Sequence, residues 1–397
     1  YYVIGLIRPK HDKVVVCYVA SWAAYRQGNG AFSLENLRSE HCTHLIYAFA
    51  GLNISDWTIR SLDPWADMEK DGIGNYRKMT TLRNQGLKVS LGIGGWNEGS
   101  TNYSLMASSP DRRRIFIAST VEFLKMYGFD GLDLDWEFPG SRGGAPHDKQ
   151  NFVSLVQELK DAFREHRFLL TAAISAISST IDVAYDIPKI SKYLDYIHVM
   201  AYDYHGAWNK QVLPNSPLRS KDRLDVEHTI TYLLQQGAPP EKLVLGLAMY
   251  GRTFVLITVP ETPKINPIGL PSMDTGFKGP YTSEEGFMGF NEVFRYLITY
   301  TKLLNSNSKV EYAKRQKLAG VMVWSIDTDD FRGKCSLLHG DMALLDGRDY
   351  PLMKSINAAL ANNTISSEGN QVPDSSSVQL LSNIAFALSI VMIYLSF

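Results

Sequence analysis

Neither sign of charge dominates this chain. Its 397 residues carry 40 basic and 41 acidic side chains, a formal net charge of −1. That balance leaves no basic footprint for nucleic acid. No G-x-G-x-x-G follows the first apolar run, which argues against a doubly wound open sheet. The glycine-rich Gly92-x-Gly94-Gly95-Trp96 is followed by Asn97 and Glu98 rather than Lys-Ser/Thr. It reads as a tight turn presenting Trp96, not as a phosphate loop. Cysteine is scarce, with Cys17, Cys42 and Cys335 the three present. Cys17 falls in a predicted first strand and Cys42 just before a predicted second. Adjacent strands bring that pair within bridging range, which implies an oxidising compartment. Cys335 is then odd, either buried and inert or able to pair with another chain. Neither Met nor a signal peptide opens the chain at Tyr1, so a processed or incomplete product is expected. Sequons at Asn53, Asn102 and Asn362 fit secretion.

What the chain does contain is a set of carboxylates inside an apolar run. Phe129–Gly140 reads Phe-Asp-Gly-Leu-Asp-Leu-Asp-Trp-Glu-Phe-Pro-Gly. On a strand, alternate residues point to opposite faces. Asp133, Asp135 and Glu137 therefore share one face, and Leu132, Leu134 and Trp136 the other. Neighbouring carboxyls on that face lie roughly 6–7 Å apart along the strand. Three buried carboxylates so close cannot all ionise at neutral pH, so at least one holds its proton. A protonated acid beside an ionised carboxylate is the pairing that glycoside cleavage requires. A solvated acidic face would be the ordinary alternative, but the opposite face is Leu-Leu-Trp. D-x-D can also hold magnesium through oxygen, yet no phosphate-cradling loop adjoins it.

Short apolar runs recur, each followed by a helix-compatible stretch. They are Val14–Ala20, His44–Phe49, Lys88–Ile93, Gly131–Trp136, Leu169–Ile174, Tyr196–Met200, Leu243–Met249 and Gly320–Trp324. Helical patterns such as Asp111–Tyr127, Asp148–Glu165 and Asp225–Gln236 lie between them. Near-continuous apolar strands alternating with helices predict a parallel sheet, and eight such units a closed (β/α)₈ barrel, a TIM barrel. In such barrels the chemistry sits at the C-terminal ends of the strands. Glu137, Met200, Tyr202, Asp203, Tyr250, Arg252 and Trp324 all fall there, and Trp22 and Trp96 follow the first and third strands. Each has a plainer reading as well. Tyr202, Met200 and Trp324 could fill the barrel core, Trp22 and Trp96 could be packing residues, and Arg252 a surface cation. A Pro- and Gly-rich insertion from Thr253 to about Tyr281 is expected to wall the barrel mouth. From Ser283 to Ala319 the pattern turns helical, with Phe294, Leu297, Tyr300 and Leu304 at helical spacing.

The expected domain ends near residue 360. A polar spacer, 361–377, leads into Val378–Phe397, which contains no charged residue. That tail suits a GPI signal with Ser367 as attachment site, a spanning helix for which it is just long enough, or a buried terminal helix.

With the fourth run in hand, the chain resembles glycoside hydrolase family 18. The wider likeness is to vertebrate chitinases (acidic chitinase and chitotriosidase) and their chitinase-like lectin relatives. Thr43–Gly51, Gly94-Gly95-Trp96-Asn97, Tyr193–Met200 and Met322–Asp327 carry it, in the same order from about Val14 to Ala359. The resemblance implies endo-acting, retaining hydrolysis of β-1,4-linked N-acetylglucosamine, with the substrate's own acetamido oxygen as nucleophile. It makes Glu137 the acid and then the base, and has Asp135 orient the acetamido group. Asp133 shares a proton or hydrogen bond with Asp135, Asp130 supports the strand, and Tyr202, assisted by Asp203, bonds the acetamido carbonyl. Met200 and Trp324 floor the central sugar site. Trp22, Trp96 and Trp208 stack on sugars, and Asn97, Tyr250 and Arg252 are further contacts. The expected partner is chitin or its oligosaccharides, bound by a monomer without cofactor or metal.

Several positions depart from the family pattern. Phe138 stands where the enzymes carry Tyr. The region between Glu292 and Gly320 and the loop Gln211–Arg223 are abbreviated, and Phe294 replaces a cysteine that would pair with Cys335. A hydrophobic tail stands in place of a Cys-rich chitin-binding module. Because the full carboxylate set is present, hydrolysis is the expected function, with a chitin-binding surface lectin as the alternative and a poorly folding product as a third.

Overall fold

Eight apolar runs become eight parallel strands of one closed ring. The computed structural model describes residues 9, 11–258, 266–293, 301–334 and 349–362. In chain order the strands are β1 (Val14–Ala20), β2 (His44–Asn53), β3 (Thr58–Ser61), β4 (Lys88–Gly94), β5 (Gly131–Asp135), β6 (Leu169–Ser175) and β7 (Tyr196–Met200). Then come β8 (Leu243–Ala248), β9 (Tyr250–Arg252), β10 (Phe254–Leu256), β11 (Ser272–Thr275), β12 (Phe287–Gly289) and β13 (Gly320–Trp324). The ring runs β1-β2-β4-β5-β6-β7-β8-β13 and closes because β1 pairs in parallel with both β2 and β13. The fold is the expected (β/α)₈ TIM barrel. All eight central strands are almost wholly buried, which is why they read as continuous apolar runs rather than alternating ones.

Local chemistry sets the helix ends within a residue or so of the periodic pattern. Pro110–Tyr127 begins with Ser109, whose hydroxyl accepts the Arg112 N–H, followed by Pro at the first helical position. It ends at Gly128, whose φ of 79° is left-handed and suits a residue without Cβ. Val226–Gln235 is capped by Asp225, which accepts the His228 N–H at 2.7 Å. Cys17 and Cys42 are bridged, with Cα atoms 6.0 Å apart, tying β1 to the turn before β2. Closing a loop of 25 residues in this way removes unfolded-state entropy worth about 3 kcal/mol.

The mouth of the barrel carries the departures from a plain pattern. β3 folds back on the overrun of β2 as a hairpin. Beyond β8, β9 pairs antiparallel with β12, and β10 with β11, so two small ribbons stand at the rim. The helical expectation from Ser283 fails at Phe287–Gly289. There the edge of β9 offers backbone partners, and Gly286 and Gly289 weaken helix formation on both sides. A helix over Thr301–Arg315 then matches the pattern. Phe294, Leu297, Tyr300, Cys335, Ser367 and the tail Val378–Phe397 lie outside the described residues. Among the described residues no helix is long and apolar enough to cross a membrane.

Candidate active site

β5 delivers the central carboxylates, but not all three from the strand itself. Its last pairings are Gly94↔Asp135 and Leu134↔Ala172, so regular structure stops at Asp135. Glu137 sits one step beyond, on the connection to Pro139-Gly140. The expectation of three carboxyls on one strand face is therefore corrected to two on the strand and one past its end. β4 ends here, at Gly94, while β6 runs on to Ser175 beside β7. The turn after β4 presses directly on this point. Gly95 N–H donates to the Asp135 carbonyl at 2.8 Å, and a Cβ at Gly94 would lie 2.4 Å from the same oxygen. Gly94 and Gly95 also hold φ values of 110° and 84°, so the turn that presents Trp96 needs glycine twice over.

The three acids are shifted in different directions. Asp133, fully buried, accepts the Tyr18 hydroxyl at 2.6 Å and the Thr171 hydroxyl, and lies 3.1 Å from His198 Nδ1. Burial pushes its carboxyl up, but the His198 ring and these hydrogen bonds outweigh burial and leave it below the ordinary value. Asp135 is pushed well above its ordinary value, first by burial and then by the charge and hydrogen bond of Asp133. Among the described residues its buried Oδ2 has no hydrogen-bond partner. Glu137 is pushed up to about 7 by burial, with Arg142 pulling it down and Asp203 adding to the rise. The column thus sets one carboxyl held low beside two held high, the arrangement an acid and its supporting carboxylate need.

Aromatic rings surround this column. Trp324, at the end of β13, stacks on Phe49 at 5.7 Å and 18°, and Trp22 packs against both at 6.1 Å. Trp22, Trp96 and Trp208 are 45%, 60% and 56% exposed, so each offers a ring face to solvent. Asn97 is exposed beside Trp96. Met200 is half-buried and Tyr202 buried in the cluster that also contains Tyr18 and Tyr250. Among the described residues the Tyr202 hydroxyl reaches only the Met322 sulfur, at 3.9 Å, a weak acceptor. Burial, then its charged neighbours, hold that hydroxyl well above its ordinary pKa, so it is a hydrogen-bond donor. Asp203 pairs with Arg252 at 2.7 Å, and the guanidinium lies over Trp208 and Tyr250 at 5.4 Å from each. Tyr250 itself is buried, stacked on Phe287 at 4.4 Å.

Asp130 lies at the other end of β5. It accepts the Val89 N–H at 2.9 Å and meets Arg83 at 3.1 Å and Lys88 at 3.8 Å, which supports strand pairing far from the mouth.

Residues 14–329 match the family described as glycosyl hydrolases family 18. The chain belongs to that family.

Relatives of this family 18 chain cover most of its length. Probable chitinase 2 of Drosophila melanogaster is 45% identical over 398 residues, spanning 88% of this chain and 81% of the fly protein. Chitotriosidase-1 of Mus musculus is 32% identical, spanning 87% and 78%. The likeness expected to vertebrate chitinases therefore holds at the level of the family, and the fly protein is the more similar of the two. Ostrinia furnacalis Group IV chitinase, solved in complex with allosamidin, superposes with a TM-score of 0.80 at 38% identity, covering 88% of this chain and 99% of that one.

Five site neighbours escaped the sequence reading: Tyr18, Phe49, Arg142, Thr171 and His198. Tyr18, Thr171 and His198 sit inward on β1, β6 and β7, and two-residue periodicity would have placed them beside Asp133. Arg142 had no such signal. It lies over the Trp96 ring at 3.4 Å, donating to the Trp96 and Glu137 carbonyls at 2.9 Å.

Proposed function

We propose that this protein is an endo-acting, retaining chitinase that cleaves β-1,4 linkages between N-acetylglucosamine units. The observation that carries the reading is one buried carboxylate column at the barrel mouth, in which His198 and hydrogen bonds outweigh burial to lower Asp133 while burial raises Asp135 and Glu137. Glu137 gives its proton to the glycosidic oxygen as the C1–O bond breaks. The acetamido carbonyl oxygen of the same sugar closes on C1, forming a cyclic oxazolinium and retaining the enzyme's own groups unmodified. As positive charge develops, Asp135 passes its proton to neighbouring Asp133, accepts the acetamido N–H and balances the charge of the oxazolinium. Tyr202 donates to the acetamido oxygen. Glu137, now ionised, takes a proton from the water that opens the ring. Trp324 and Met200 floor this sugar, and Trp22, Trp96 and Trp208 stack on its neighbours, with Asn97, Tyr250 and Arg252 shaping the cleft.

Each chain carries a whole site, so the working unit is proposed to be the monomer. The Cys17–Cys42 bridge supports a secretory route. Among the sequons, Asn53 favours a glycan. It lies on the hairpin from β2 to β3, beside exposed Ile54 and Ser55, with the Ser55 N–H donating to its side-chain oxygen at 3.1 Å. The barrel is taken to occupy residues 1–360, with the spacer and tail attaching it to a surface through a GPI anchor or a spanning helix. Phosphatidylinositol-specific phospholipase should release a GPI-anchored chain; retention after complete digestion points to the helix.

The deciding experiment is hydrolysis of a fluorogenic chitotrioside by the parent and by Glu137→Gln. Turnover by the parent, with a loss of orders of magnitude in the variant and oligosaccharide binding retained, is expected. Binding by both without turnover by either would make the protein a lectin.

A further inference from the structure

Lys309 is 1% exposed, on the helix Thr301–Arg315 behind the barrel wall. Among the described residues no carboxylate pairs with it. Its Nζ donates to Ser216 Oγ at 2.8 Å, and Ser216 Oγ donates in turn to the Ala201 carbonyl at 2.5 Å. Ala201 is the residue between Met200, the end of β7, and Tyr202. The same backing segment grips the next two residues. Asn215 accepts the Asp203 N–H on its side-chain oxygen at 2.9 Å and the Tyr204 N–H on its carbonyl at 3.0 Å. Asp203 needs such a grip, because its φ of 56° is left-handed and disfavoured for a residue with a Cβ.

We propose that Lys309 is a positioning residue. Through Ser216 it fixes the Ala201 carbonyl and so sets where Tyr202 and Asp203 stand at the cleft. The structural reason for a lysine here is reach, since a long unbranched chain carries a donor from the outer helix to a hydroxyl under the barrel rim. Burial pulls its amine down to about 7, which eases holding it there beside a hydroxyl, and it donates to Ser216 in either protonation state. No apolar residue of similar length supplies that donor, and Ser216 would lose this buried hydrogen bond. The effect on turnover rests on the chitinase reading; the effect on the loop does not.

The test uses the full chain with Lys309→Met, Ser216→Ala and the double variant. Two readouts are taken: kcat and KM on a fluorogenic chitotrioside, and amide hydrogen exchange over residues 201–205. Lys309→Met should lower kcat about tenfold with little change in KM, because Tyr202 and Asp203 would be misplaced rather than removed. Exchange at the Asp203 and Tyr204 amides should quicken while strands across the barrel keep their protection. Ser216→Ala should do the same, and the double variant should lose no more than either alone. Unchanged exchange at 201–205 in folded variants overturns the proposal, as do losses that add. If the parent shows no turnover the chitinase reading falls, and exchange alone still decides the placement. If Lys309→Met does not fold, Ser216→Ala carries the same two readouts.

Discussion

The two ends of β5 hold the same side chain under opposite conditions. Asp130, at the N-terminal end, is matched by a backbone N–H, Arg83 and Lys88, and faces partly toward water. Asp135, at the C-terminal end, is buried beside another carboxylate, and one of its oxygens has no hydrogen-bond partner among the described residues. A barrel is stable because its lower end satisfies its polar groups and is useful because its upper end does not. An unsatisfied buried acceptor costs folding free energy of about 1–3 kcal/mol, which a substrate N–H can return on binding.

Exchanging the conditions at those two ends should separate stability from chemistry. The largest effect is expected from Asp135→Asn, which keeps the shape and removes the titrating acid. Its kcat should fall about 10²–10³-fold, with a melting temperature equal to or above the parent's because a like-charge neighbour is gone. Calorimetry alongside steady-state kinetics checks both halves, and a large drop in melting temperature would undo the comparison.

Next comes the pH response of Glu137. As the acid it must carry its proton, so kcat/KM should decline as pH rises through about 7. For stability, its folded value lies above the unfolded value near 4.5, so its contribution is complete below pH 4.5 and lost as pH rises through about 7. Glu137→Gln should therefore be more stable than the parent at pH 8, by up to roughly 3 kcal/mol, and about equal at pH 4. Urea unfolding at the two pH values reads this directly.

Asp130→Ala should behave in the opposite manner to Asp135→Asn. Loss of about 1–2 kcal/mol in unfolding free energy is expected, with kcat close to the parent's. A kcat loss as large as that of Asp135→Asn would show that the lower end is not merely structural. The smallest effect is assigned to Arg142→Ala. Arg142 pulls Glu137 downward from a solvent-screened position, so its removal should move the alkaline limb of the pH–rate profile upward by less than about one unit. A downward move would contradict the electrostatics of the site.

Much of this contrast was legible before any coordinates. The β5 segment announced itself because charges interrupted an apolar run, and the eight runs appeared because both faces of each central strand are buried. Cys17 and Cys42 paired as adjacent strands required. What stayed hidden depends on contacts between distant segments. Tyr18 and His198 read as unremarkable core residues until β1 and β7 face Asp133 across the barrel. Phe49 had no mark of its own, since its role comes from the Trp324 ring 275 positions later. Glu137 was placed on the strand because periodicity continues through it, whereas the pairing of β5 ends with β4 at Gly94↔Asp135. Phe287–Gly289 looked helical because its pairing partner, Tyr250–Arg252, is remote in sequence.

The ring itself carries a consequence for how the chain is made. Val14 pairs with Gly320, so the first strand lacks one neighbour until nearly all of the barrel has left the ribosome. At about 5–20 residues per second, that wait lasts tens of seconds. During it, β1 presents an apolar strand edge, the kind of surface that recruits chaperones or a second nascent chain. Cys17 and Cys42 emerge early and close together in sequence, so their bond can dock β1 on β2 long before the last strand arrives. A reducing environment would remove that early clasp, and the toll should appear in the yield of secreted protein more than in the behaviour of molecules already complete.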